Sequence, residues 1–207
     1  MRGGILPPMA DPMETAVPPR RRRSDARRSI DAILAAANTV LGVRPDASME
    51  DIAAAAGVAR QTVYAHFTSR DALIAALVET ARTQGLAELA AARLDLAPPV
   101  DALGRILDLS WELLRRYPLL LEPAFNRVPR LDGSDPHRTV AEQLERVVER
   151  GQQSGDFDRA LPAGWLAAAI IDLGHTAAEQ VTTGHLTADA ARAVLLESAL
   201  RLCRVRS

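Results

Sequence analysis

Arg60, Gln61, Thr62, Tyr64 and His66 crowd hydrogen-bonding side chains of varied chemistry into one short stretch. They supply a guanidinium, an amide, two hydroxyls and an imidazole, a set built to donate hydrogen bonds. Hydroxyls and cations suit phosphate oxygens. Arg and Gln suit the edges of guanine and adenine, which they meet in two-point geometry. Other chemistry finds no comparable grouping. The sequence has no Gly-rich phosphate loop, no Ser/His/Asp set at recognisable spacing and no carboxylate pair in a helical metal motif. His66, His137, His175 and His185 are scattered, and Asp172 with His175 offers two ligands where a metal needs more. The expectation is a binding protein rather than an enzyme, with no metal and no cofactor.

Those side chains need a short, well-aimed helix to present them. Residues 48–55 and 59–67 read as two short helices joined at Ala56-Gly57-Val58. Gly57 can take the positive φ that a tight turn between steeply crossing helices requires. Ala53, Ala54 and Ala56 are small enough for close approach, and Ile52, Val58, Val63 and Phe67 are spaced to share a small core. This is the pattern of a helix-turn-helix, although two amphipathic helices with an incidental glycine would show the same spacing. Before it, Ile30, Ile33, Leu34, Ala37 and Leu41 mark one face of a helix that begins at Ser24 as N-cap and stops at Gly42 and Pro45. After it, Thr68 or Ser69 caps a long helix over residues 70–94, with Asp71 in its first turn.

The stretch from Met49 to Leu73 resembles the signature of the tetracycline-repressor (TetR) family. Thr62-Val63-Tyr64-Ala65-His66-Phe67 and Ser69-Arg70-Asp71-Ala72-Leu73 are its most specific parts. The match spans about residues 27–80. It implies an N-terminal three-helix DNA-binding domain and a helical C-terminal domain that dimerises and often binds a small ligand. By position, the resemblance implies that Ser48 caps the second helix and touches a phosphate. Thr62 and Tyr64 would clamp the DNA backbone, His66 would lie on the groove-facing side, and Arg70 would take the place of a usual phosphate-binding lysine. Arg60 and Gln61 are the candidates for reading bases. The sequence departs from the family pattern at Ala59, where a capping Ser is common, and at Gln61, where Gly often stands.

The rest of the chain fits an all-α protein of about nine helices. Aromatic residues make up only 3% of a chain that is 48% apolar, so the core must be mostly Leu, Ala, Val and Ile. The organisation expected is a Pro- and Arg-rich tail over residues 1–23, the helix-turn-helix domain over 24–69 and a dimerisation and effector domain over 70–207. Met9 or Met13 would serve equally well as the first residue. The Arg20–Arg23 run is either a solvated tail or an arm for the minor groove or phosphates. Further helices are expected at 100–117, 119–126, 137–154, 162–182 and 187–205, with a loop at 128–136.

Residues 1–70 carry 10 Arg against 7 acids and the remainder 15 Arg against 19, a weak bias towards nucleic acid at the N-terminal end. All the basic residues are Arg and none is Lys, which composition bias explains simply. Leu107, Trp111, Leu114, Tyr117, Phe125, Trp165 and His175 are candidates to line a pocket for a small apolar effector, or else are plain core. Leu166, Ile170, Leu173, Val194, Leu195 and Leu202 line faces that suit either a homodimer interface or an internal core. Cys203 reads as a packing residue, since a lone cysteine forms no internal disulfide. With no signal-like leader and no membrane-length apolar run, the expectation is a cytoplasmic protein with double-stranded DNA as its partner. A helical interaction protein that keeps the fold without binding DNA is the competing reading.

Overall fold

Apolar residues at helical spacing set the first element. Ile33, Ala37 and Leu41, all fully buried, form the inner face of α1 (Pro19–Val43). The computed structural model describes residues 19–121 and 138–204. α1 starts five residues earlier than expected: it takes in Pro19 and the Arg20–Arg23 run, so Ser24 lies inside the helix rather than at its cap. Proline is tolerated in a first helical turn and arginine is a good helix former, so nothing in the sequence delays the helix to Ser24. Residues 1–18 lie outside the described residues.

Then follow α2 (Met49–Ala56), α3 (Arg60–His66), α4 (Arg70–Ala91), α5 (Pro99–Arg116), α6 (Arg138–Ser154), α7 (Ala163–Thr182) and α8 (Ala188–Cys203). Short 3-10 turns occupy Leu94–Leu96 and Pro118–Leu121. Among the described residues there is no strand. The loop expected at 128–136, and the part of the 119–126 helical piece beyond Leu121, lie outside them. α4 ends at Ala91 rather than near residue 94, because Arg93 turns left-handed with φ 48° and Pro98 and Pro99 follow. The turn's free carbonyls are not wasted. Arg150 of α6 donates to Leu94 O at 2.9 Å and Ala97 O at 3.0 Å.

Two apolar cores result. The first gathers α1–α3 with Leu73, Ile74, Leu77 and Ala81 of α4, and includes Tyr117 and Leu119. The second joins Leu89 of α4 to α5, α6, α7 and α8. With 22 residues, α4 is about 33 Å long and so belongs to both. The division between the cores therefore falls inside α4. The end of α5 adds further ties to the first core: Asn38 Nδ2 of α1 donates to Arg116 O at 2.8 Å, and the Tyr117 hydroxyl donates to Gln84 Oε1 at 2.9 Å. Gly42 of α1 lies so close to Pro118 that an added Cβ would sit 3.0 Å from the proline's own.

Candidate nucleic-acid interface

α2 begins with a reciprocal cap. The Ser48 hydroxyl accepts from the Asp51 amide at 3.2 Å and donates to Asp51 Oδ2 at 2.7 Å, while the Ser48 amide donates to the same oxygen at 2.9 Å. These bonds from Ser48, first the hydroxyl and then the amide, hold the Asp51 carboxyl below its usual value, with help from Arg44 3.5 Å away. Ser48 is thus a cap. Only its exposed side remains for a phosphate.

α2 ends where Gly57 takes φ 67° and ψ 28°, and the amides of Gly57 and Val58 close the helix on Ala54 O and Ala53 O. A side chain at Gly57 would meet no atom within 4 Å, so its requirement is conformational and not steric. Three residues later α3 begins. Its N-cap, Ala59, has extended backbone but no side-chain hydrogen bond.

Val63 and Phe67 bury one side of α3 in the first core. Helical geometry then sends the intervening residues outward. Arg60, Gln61 and Tyr64 are exposed, and Thr62 and His66 are half-buried at the margins. The Arg60 guanidinium lies 5.2 Å from the centre of the Tyr64 ring and pairs with Glu50 of α2 at 2.5 Å. His66 meets Phe67 edge-on, with ring centres 6.5 Å apart. The structure therefore brings the five polar residues of this stretch onto one rigid support.

Arg70 stands differently. Its Nε donates to Ala47 O at 3.1 Å and its Nη2 to Pro45 O, which ties the start of α4 to the loop leading into α2. A guanidinium has five N–H donors, so this structural duty leaves others for a phosphate. The role of Asp51 had a signal in the sequence, since Ser-x-x-Asp ahead of a helix is a capping pattern. Glu50 had none, because its partner lies across the turn on the next helix.

The model of the tetR family of bacterial regulatory proteins matches residues 33–77, a span that supplies most of the first core. Over 186 residues the chain is 31% identical to the HTH-type transcriptional repressor LfrR of Mycolicibacterium smegmatis, covering 86% of this chain and 93% of that protein. The chain belongs to the TetR family. It is an all-helical transcriptional regulator with an N-terminal helix-turn-helix. Among solved structures, LfrR from Mycobacterium smegmatis in complex with proflavine superposes with a TM-score of 0.66 at 25% identity, covering 88% of this chain and 99% of that one. A TetR-family regulator from Agrobacterium tumefaciens superposes with a TM-score of 0.73 at 20% identity, covering 87% and 100%.

The candidate effector residues are spread over both cores and the surface. Leu107 and Trp111 are buried in the second core and Leu114 packs against it, whereas Tyr117 belongs to the first. Trp165 is exposed, and His175 lies on the half-exposed side of α7 with Nδ1 3.7 Å from Asp172 Oδ1. Phe125 lies outside the described residues. A solvent-open depression of about 500 Å³ is lined by Glu149, Gln152, Gln153 and Arg159, none of them among these candidates.

The candidate dimer residues divide in the same manner. Leu166, Ile170 and Leu195 are buried in the chain's own core, and Leu173 and Leu202 are partly buried against it. Val194 alone of the six is openly exposed. No helix among the described residues is long and apolar enough to cross a membrane.

Proposed function

We propose that this regulator represses transcription by binding a two-fold-symmetric duplex site as a homodimer, and that a small apolar effector releases it. The observation that carries the reading is the row of donors on the outward side of α3, held beside the capped N-terminus of α2 by a shared apolar core. In this reading Arg60 and Gln61 read base edges. Ser48, Thr62, Tyr64 and Arg70 position the domain on phosphates, and His66 lines the groove-facing side. Dimerisation uses the outward sides of α7 and α8, where Trp165 and Val194 leave large apolar side chains in solvent.

The LfrR structure holds proflavine, and the likeness supports a small effector here. Its site would lie around Leu107, Trp111 and Leu114 on α5. That helix runs directly into Tyr117 and Pro118, which touch the core and α1 of the DNA-binding unit. An effector that favours one arrangement of α5 against α1 changes the spacing of the two recognition helices, and linkage does the rest.

Selection of bound duplexes from a random-sequence pool, followed by titration against salt, tests the reading. A palindromic consensus is expected, with affinity falling by orders of magnitude between about 50 and 200 mM salt. Tyr64→Phe, which removes only the hydroxyl and keeps the ring beside Arg60, should weaken all duplexes about alike. Arg60→Ala should lower discrimination at one base pair of each half-site by about 1–3 kcal/mol. No enrichment from a folded dimer at low salt would favour the interaction-protein reading instead.

A further inference from the structure

Arg60 is held from two directions before any DNA arrives. Its guanidinium pairs with Glu50 Oε1 at 2.5 Å on one side and lies 5.2 Å over the Tyr64 ring on the other. Both partners sit on the same exposed surface as the donors of α3, Glu50 in the first turn of α2 and Tyr64 one turn along α3. We propose that Glu50 is a specificity-determining residue, which positions Arg60 for base reading and penalises its use on the DNA backbone. This rests on the reading of α3 as the recognition helix.

The physical argument has two parts. First, Arg60 stands at the first position of a helix whose N-cap makes no side-chain bond, where the helix already presents positive charge. Without a counter-charge its long side chain would swing outward to the strongest available acceptor, which on any duplex is a phosphate. Glu50 and Tyr64 hold it in one region instead, so less rotamer freedom remains to be lost on binding.

Second, leaving Glu50 for a phosphate would strand a carboxylate among the phosphates of the backbone, a like-charge contact. Guanine offers O6 and N7 without that repulsion. Glu50 therefore weakens sequence-independent binding more than base-specific binding, and the ratio of the two rises.

The pair is no stability device. Both side chains are well exposed, at 63% for Arg60 and 47% for Glu50, and exposed ion pairs contribute little to folding. That separates a positioning role from a structural one.

The experiment compares the full chain with Glu50→Gln, Arg60→Ala and the double variant. Each is titrated by fluorescence anisotropy against the best duplex selected by the wild type and a scrambled duplex of the same composition, over a salt series. Glu50→Gln should bind the scrambled duplex about threefold to tenfold tighter, with a salt slope steeper by about one per bound subunit. Its affinity for the selected duplex should change less than twofold, and its melting temperature should stay within about a degree of wild type. The gain on the scrambled duplex should shrink in the Arg60→Ala background.

An unchanged ratio of the two affinities in Glu50→Gln would overturn the proposal. An equal gain with and without Arg60 would overturn it too, because Glu50 would then act through its own charge alone. A wild type that selects no duplex overturns the recognition-helix reading itself and this proposal with it, an outcome distinct from the other two.

Discussion

Ala59→Ser should stabilise α3 by about 0.5–1 kcal/mol. Three other helix starts show the reason. Ser48, Ser69 and Thr187 each accept a hydrogen bond from the amide three residues on, whereas Ala59 has the same extended backbone, φ −66° and ψ 145°, and nothing to offer. Replacing a capping Ser by Ala commonly loses about 1 kcal/mol, so the reverse change recovers a similar amount. The gain belongs at the lower end here, because the Thr62 amide already reaches Ala59 O at 2.8 Å. The new hydroxyl would share that amide or take the Gln61 amide.

The assay is native-state hydrogen exchange of the 60–66 amides, which reports local opening of α3 without requiring the whole chain to unfold in one step. Protection should rise about twofold to fivefold at α3 and stay constant in α7. Unchanged or lower protection at α3 would refute the reasoning and mean that the first turn of α3 is already satisfied by its own carbonyl geometry.

Gly57→Ala should destabilise the DNA-binding unit by about 1–2 kcal/mol through the left-handed backbone alone, since its Cβ meets no neighbour; urea denaturation should show Gly57→Asn losing clearly less. Burial pushes the Cys203 thiol up to about 11, so Ellman's reagent at pH 8 should leave the native chain unmodified and react at once after unfolding. The same raised value means that native stability falls as pH rises above about 9, where the unfolded thiol ionises first and the folded one does not. The Asp51 carboxyl is lowered by its bonds from Ser48, so its contribution is present above its ordinary value of 3.8 and disappears as pH falls through the lower folded value. Melting temperatures of wild type and Asp51→Asn should therefore converge on acidification below about pH 4, and a constant difference would count against the cap.

Much of this was legible along the chain because it is local. Periodicity located the helices, and Gly57 and the residues on its flanks located the turn, since a positive φ and a 3.6-residue repeat are properties of neighbours in sequence. The donor row of α3 followed from the same repeat: once Val63 and Phe67 face inward, Arg60, Gln61 and Tyr64 must face out. The first turn of α1 was misread for an equally local reason, as Pro-rich composition outweighed the tolerance of a helix start for proline.

Tertiary structure decided what depends on partners distant in sequence. Leu166, Ile170 and Leu195 repeat as an interface would, yet they fill the chain's own core, because an apolar stripe does not record what covers it. Tyr117 reads as part of the α5 apolar face, but the turn at Pro118 delivers it to the first core beside Leu119. Arg70 reads by resemblance as a phosphate-binding cation, and only the fold brings the carbonyls of Pro45 and Ala47 within its reach as well. The Glu50 and Arg60 pairing likewise awaited the crossing of α2 and α3, whose angle is set by side chains packing in three dimensions rather than by any spacing along the chain.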